Sequence, residues 1–168
     1  NGLKKASSLK DLSTNVDILI TMMPNGEVVE TVYDNIINKF KKNTLFTDCS
    51  TIDVDKAKDL HKKCDKNGLL FLDAPVSGGV GGAEAGSLTF MVGGNNDAYK
   101  KMLPLFEIMG SKSVLCGPPS CGQATKACNN MLLATTMIGL GETLSLGSKL
   151  GLDPKKLFEI LSTATGSC

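Results

Sequence analysis

The chain has 168 residues, enough for one domain with a sizeable core. Its 42% hydrophobic and 21% charged residues are ordinary for a soluble globular protein, and a net charge of +1 leaves no electrostatic footprint for nucleic acid. The six cysteines (Cys49, Cys64, Cys116, Cys121, Cys128 and Cys168) form no CxxC pair, so they predict no metal site and read as reduced thiols of an intracellular compartment.

In chain order, Ser8–Asp11 (SLKD) reads as a helix start. Val16–Met22 (VDILITM) is short, β-branched and unbroken, the pattern of a strand buried on both faces. Pro24-Asn25-Gly26 turns the chain out of it. Glu27–Phe40 is an amphipathic helix that points Val28, Val32, Ile36, Ile37 and Phe40 at a core. Thr44–Thr47 is a second strand, with Asp48–Thr51 as the loop at its end. Thr51 or Asp53 caps a charged helix that stops at Asn67-Gly68. The single histidine, His61, reads there as a surface residue outside any chemistry. Leu69–Leu72 is a third strand, Val76–Ser87 a glycine-rich loop, and Leu88–Val92 a fourth strand. A helix capped by Asn95 or Asn96 runs to Gly110, and Ser113–Cys116 is the last strand. This alternation predicts a βαβ series with a mostly parallel sheet, whose ligands sit at the carboxyl ends of the strands. The loops there are Met23-Pro24-Asn25, Asp48–Thr51 and Asp73–Gly79.

Ser120–Gly151 reads as one long helix, with Ser120 and Gln123 spaced as a capping box. Between Lys126 and Lys149 its only charge is Glu142, and apolar or small residues take nearly every face, so it should be buried. Asn129, Asn130, Thr135, Thr136, Glu142 and Ser145 make it too polar for a membrane span, and no aromatic belt flanks it. Lys126 and Asn130 lie one turn apart on one face of its polar head. They are candidate site residues, although Lys126 could instead snorkel to solvent from a core helix. Asn129, about 100° round the helix, is assigned to packing or a cap. Asp153-Pro154 starts a further helix, Lys155–Thr163. The predicted architecture is therefore an α/β sheet, a long exit helix and the start of an all-helical unit, divided as residues 1–118 and 119–168.

Ser77–Gly86 (SGGVGGAEAG) holds five glycines in ten residues. Glycine allows positive φ, so consecutive N–H groups of Ser77, Gly78 and Gly79 could face an anion; a flexible surface turn is the equal alternative. No GK[ST] follows, so it is not a P-loop.

DAPVSGG (Asp73–Gly79), GSLTFMVGG (Gly86–Gly94) and GQATKACNNMLLA (Gly122–Ala134), in that order, resemble the β-hydroxyacid dehydrogenase family. The likeness continues through MMP (Met22–Pro24), DCSTID (Asp48–Asp53) and KLGLDPKKL (Lys149–Leu157), and covers essentially the whole chain. It implies a partial Rossmann-type doubly wound sheet joined by a long helix to a truncated all-α domain. It implies Lys126 as the catalytic lysine, with Asn130, Ser77, Gly78 and Gly79 on the substrate, and Met23, Pro24 and Thr51 against a dinucleotide, NAD or NADP. Within the family the likeness points to the 3-hydroxy acid branch of valine breakdown. A glyoxylate or succinic semialdehyde reductase, or a non-catalytic binding module on the same fold, is the alternative; a sugar-phosphate acid dehydrogenase would need basic residues beside Ser77 or Asn130. The family's opening strand with GxGxxG has no counterpart here, so the resemblance also implies an internal fragment of a longer enzyme that does not turn over alone. It further implies a mitochondrial matrix location, and a homodimer or homotetramer at full length. A free lysine, with a pKa near 10.4, is a poor base; burial at the head of the helix should disfavour its charged form.

Overall fold

The first strand, β1 (Ile18–Thr21), is shorter than the apolar run that encodes it, and Leu9–Asn15 ahead of it forms helix α1 with Ser8 as N-cap. The computed structural model from which these elements are taken describes residues 4–166; Cys168, read above as a thiol, lies outside them. Helix α2 (Gly26–Ile36) begins where the Asn25 side chain accepts from Val28 N–H, and a single 3-10 turn at residues 37–39 finishes it. Ile36, Ile37 and Phe40 are buried as expected, but Val29 and Tyr33 carry the face, while Val28 and Val32 are only half-buried. Strand β2 (Leu45–Asp48) is buried at all four positions. Helix α3 (Val54–Lys66) is capped by Asp53, and Gly68 beyond it has φ +71°, the left-handed conformation that a helix exit favours.

Strand β3 (Leu70–Asp73) pairs in parallel with β2, and β2 with β1. The glycine-rich stretch is not one loop. It forms a two-residue strand β4 (Val76–Ser77) and a short helix α4 (Gly79–Glu84). Strand β5 (Leu88–Gly94) then runs antiparallel to both β3 and β4. The reason is length: residues 78–87 are too few for the crossover that a parallel return requires. Helix α5 (Asn96–Met109) supplies such a crossover, and β6 (Gly110–Gly117) lies parallel to β5.

Period-2 alternation splits the strand side chains between two cores. Phe46 and Phe71 face Val29, Tyr33 and Leu60 of α2 and α3. Leu45, Leu72, Phe90 and Val92 face Ala98, Met102 and Phe106 of α5. Tyr33 meets Phe46 and Phe71 edge-on, with ring centroids 5.6 and 5.7 Å apart.

The chain divides into two compact units, residues 1–126 and 127–168. Helix α6 (Cys121–Lys149) starts in the first and continues into the second. In the second unit, Gly151 at φ +75° and Asp153, whose side chain accepts from Lys155 and Lys156 N–H, set up helix α7 (Pro154–Leu161). Leu157 of α7 packs directly over Gly147. The expectation of a buried α6 is corrected: Met131, Leu132, Met137 and Ile138 are each about two-thirds exposed. An all-round apolar helix needs partners on every side, and among the described residues of this unit only α7 supplies one. Among the described residues no helix is long and apolar enough to cross a membrane, and no group of three metal-ligating side chains is assembled.

Candidate active site

At the carboxyl ends of β1 and β2 the sheet opens into a cleft of about 410 Å³ between Pro24–Glu27 and Thr51–Asp53. Pro24 and Thr51 line it together, and Met23 is fixed beside it because its N–H donates to Ser50 Oγ at 2.7 Å. A Cβ at Gly26 would come 2.7 Å from the flexible Lys56 side chain, which would have to shift. Lys56, the only base lining the cleft, is paired with Glu30, whose hydrogen bond holds its pKa above the usual lysine value; Glu27 and Asp53 add to that. A cleft with two carboxylates and one neutralised lysine suits a hydroxyl-bearing ring better than a phosphate.

Beneath the cleft, Asp48 is buried. Its Oδ1 accepts from Thr21 Oγ1 at 2.8 Å and from the Ser50 hydroxyl at 2.7 Å, while Oδ2 has no partner. Burial raises its pKa, the two hydroxyls oppose that rise, and the Asp73 carboxylate next to it adds to it. Burial also pushes the Cys49 and Cys64 thiols up to about 12, which disfavours the thiolate.

Ser77 sits half-buried in β4, paired with Thr89. Gly78 (φ +131°) and Gly79 (φ +61°) follow in conformations that only glycine adopts freely, and they carry the chain into α4. Lys126 lies in the second turn of α6, half-buried, and belongs to the same unit as Ser77. Asn130 is exposed one turn further along, in the second unit. Asn129 is exposed too, its side-chain amide 3.4 Å from Asn130 Oδ1, so it neither packs nor caps.

The expected capping box does not form. Ser120 has φ +73°, and its N–H donates to Asp73 Oδ1 at 2.9 Å; Gln123 N–H donates to Asp73 Oδ2 at 2.9 Å. The Gln123 side chain instead spans to the neighbouring loop, giving a hydrogen bond to Ser50 O at 2.7 Å and accepting one from Ile52 N–H at 3.1 Å. His61 is corrected as well. Its side chain is 10% exposed, its Nε2 lies 2.7 Å from Asp73 Oδ1, and its ring meets Phe71 edge-on. The roles of Asp73, Gln123 and His61 were not read from the sequence. For His61 the signal was available: Ala57, Leu60 and Cys64 are the buried face of α3, and position 61 lies on it.

An α/β sheet with a cleft at the carboxyl ends of its strands is the arrangement of dinucleotide-binding folds. The family described as the NAD binding domain of 6-phosphogluconate dehydrogenase matches residues 1–117, and the NAD-binding domain of NADP-dependent 3-hydroxyisobutyrate dehydrogenase matches residues 120–168. The chain belongs to the first of these families, whose model matches more than half of it. It is 47% identical to mitochondrial 3-hydroxyisobutyrate dehydrogenase of Mus musculus, over 99% of this chain and 51% of that protein. The solved Mycobacterium tuberculosis 3-hydroxyisobutyrate dehydrogenase with L-serine superimposes at TM-score 0.91 and 43% identity, over 96% of this chain and 56% of that one. Psf3 in complex with NADP+ and 2-OPP superimposes at TM-score 0.86 and 28% identity, over 97% and 59%. The chain thus spans about half the length of the relatives it matches.

Proposed function

We propose that the full-length protein is an NAD(P)-dependent 3-hydroxyisobutyrate dehydrogenase, converting 3-hydroxyisobutyrate to methylmalonate semialdehyde in valine catabolism. Residues 1–118 serve as its dinucleotide-binding domain and residues 119–168 as the interdomain helix and the start of an all-α domain. The observation that carries this reading is the anchoring of the Lys126 helix. Its first turn is bonded to Asp73 at the end of β3, the strand that leads into Ser77–Gly79, and through Gln123 to the loop that holds Thr51.

Bound dinucleotide supplies the hydride acceptor. Lys126 Nζ takes the proton of the substrate hydroxyl as the carbinol hydrogen leaves as hydride, and returns it in the reducing direction. Asn130, one turn on, donates to the same oxygen. Ser77 with the Gly78 and Gly79 N–H groups holds the carboxylate and so fixes which face of the carbinol carbon is presented. Met23, Pro24 and Thr51 seat the dinucleotide. The 47% identity to a mitochondrial relative supports a matrix location, and a homodimer or homotetramer is the assembly we propose.

The test is nicotinamide absorbance with a panel of 3-hydroxyisobutyrate, glyoxylate and succinic semialdehyde, on the full-length protein and its Lys126→Ala variant. Turnover of the first substrate, with a loss of about 10²–10⁴-fold in kcat for the variant and dinucleotide binding kept, supports the reading. Near-normal turnover by Lys126→Ala, or preference for either aldehyde, sinks it.

A further inference from the structure

The first turn of α6 is capped from far away in sequence. Asp73 is wholly buried, and both its oxygens are engaged: Oδ1 by Ser120 N–H and His61 Nε2, Oδ2 by Gln123 N–H. A carboxylate at a helix N-terminus is favoured by the free N–H groups and by the helix dipole. Two glycines make room for it. A Cβ at Gly93 would lie 2.5 Å from Asp73 Oδ1, and one at Gly122 would lie 2.8 Å from Oδ2.

We propose that Asp73, oriented by His61, is a positioning residue: as the cap of α6 it sets the depth and rotation of the helix turn that carries Lys126. In that contact His61 Nε2–H donates and the Asp73 carboxylate oxygen accepts. The ring also packs edge-on against Phe71, centroids 4.6 Å apart, which restrains the partner that orients the carboxylate. Gln123 is bonded on both sides of Thr51, to Ser50 O and Ile52 N–H, so the same turn is fixed relative to the dinucleotide cleft. Lys126 follows Gln123 by three residues, less than one turn, and an error in the first turn is passed to Nζ almost undiminished. This rests on the reading of Lys126 as proton acceptor.

The experiment uses full-length protein carrying Asp73→Asn, His61→Phe or His61→Gln. Asn keeps the shape but offers one acceptor where two are used, and Gln restores a donor that Phe lacks. Amide exchange, which needs no catalysis, should speed up about tenfold or more at Ser120 and Gln123 in Asp73→Asn, with Phe46 and Leu72 unchanged. In kinetics, kcat should fall about 10²-fold with dinucleotide affinity little changed, as expected for a misplacement near 1 Å. His61→Phe should lose less, and His61→Gln should recover most of that loss. Unchanged exchange overturns the cap. Raised exchange with unchanged kcat, or a kcat loss no greater than the unfolded fraction, overturns the positioning role. Failure of the underlying reading looks different: Lys126→Ala then keeps its turnover, while exchange still reports on the cap.

Discussion

In the sheet unit Phe46 and Phe90 are 0% and 1% exposed; in the helical unit Leu132 and Phe158 are 66% and 59% exposed. The residues are comparably apolar, so hydropathy does not separate them. What differs is the partner. Strands β2 and β3 are covered on one face by α2 and α3 and on the other by α5. Helix α6 beyond Lys126 meets only α7 among the described residues of its unit. An amphipathic helix such as α3, with Ala57, Leu60 and Cys64 buried and lysines outside, encodes how wide its cover is. An all-round apolar helix encodes only that cover is wanted.

The sharpest test of that contrast is a pair of truncations. Phe46→Ala should cost about 3–5 kcal/mol, as large-to-small changes in a packed core do, whereas Leu132→Ala should stay within about 0.5 kcal/mol. Urea unfolding of the chain measures both. Equal losses would show that Leu132 is covered in solution and the contrast is false.

A second test adds atoms instead. Gly122→Ala places a Cβ 2.5 Å from the Met91 carbonyl oxygen and against the Asp73 backbone, neither of which can step aside. Overpacking of this kind should cost about 1–3 kcal/mol, read as a fall in the urea midpoint. A neutral result would mean that the α6–β3 junction is looser than its hydrogen bonds indicate.

The third prediction concerns charge within the sheet unit. Burial holds the Asp48 pKa above its ordinary 3.8, so over the interval between those values the folded chain binds more protons than the unfolded one. Asp48 therefore contributes stability that is present below the unfolded value and lost as pH rises through the folded one. Asp48→Asn keeps the acceptor for Thr21 and Ser50 and removes the titration. The melting temperature of the variant relative to the parent should accordingly be more favourable at pH 7 than at pH 3.5. A pH-independent difference would remove Asp48 as the source of acid stabilisation.

The order of strands and helices was legible because turn residues punctuate it: Asn25, Asp53, Asn95 and Asp153 cap the helices that follow them, as their side chains suggest. The antiparallel β5 was not read out, although the shortness of residues 78–87 dictates it. The loops carrying Met23, Pro24 and Thr51 were found from strand ends alone, and the structure brings them to one cleft. The anchoring of α6 was hidden for a different reason. Ser120 and Gln123 have the right spacing for a local cap, and nothing local shows that a carboxylate 47 residues away competes for the same N–H. The long-range hydrogen bonds prevail because leaving the buried Asp73 carboxylate unpaired would cost more than forgoing the local cap.

The smallest effect separates the two units most cleanly. Nothing lies within 4 Å of a Cβ placed at Gly139, in the middle of α6. On an uncovered helix, Gly139→Ala gains helix propensity and should stabilise the helical unit by about 0.5–1 kcal/mol, seen as a higher melting temperature of the helix signal. A small residue is also what lets another backbone approach a helix closely, and there the same methyl group would clash. The substitution therefore has opposite signs for an open and a covered face. Measured in this chain and again in full-length protein, a gain in the first with a loss in the second would show that Gly139 faces a partner in the complete fold. A gain in both would leave that face in water and make its apolar character unnecessary for folding.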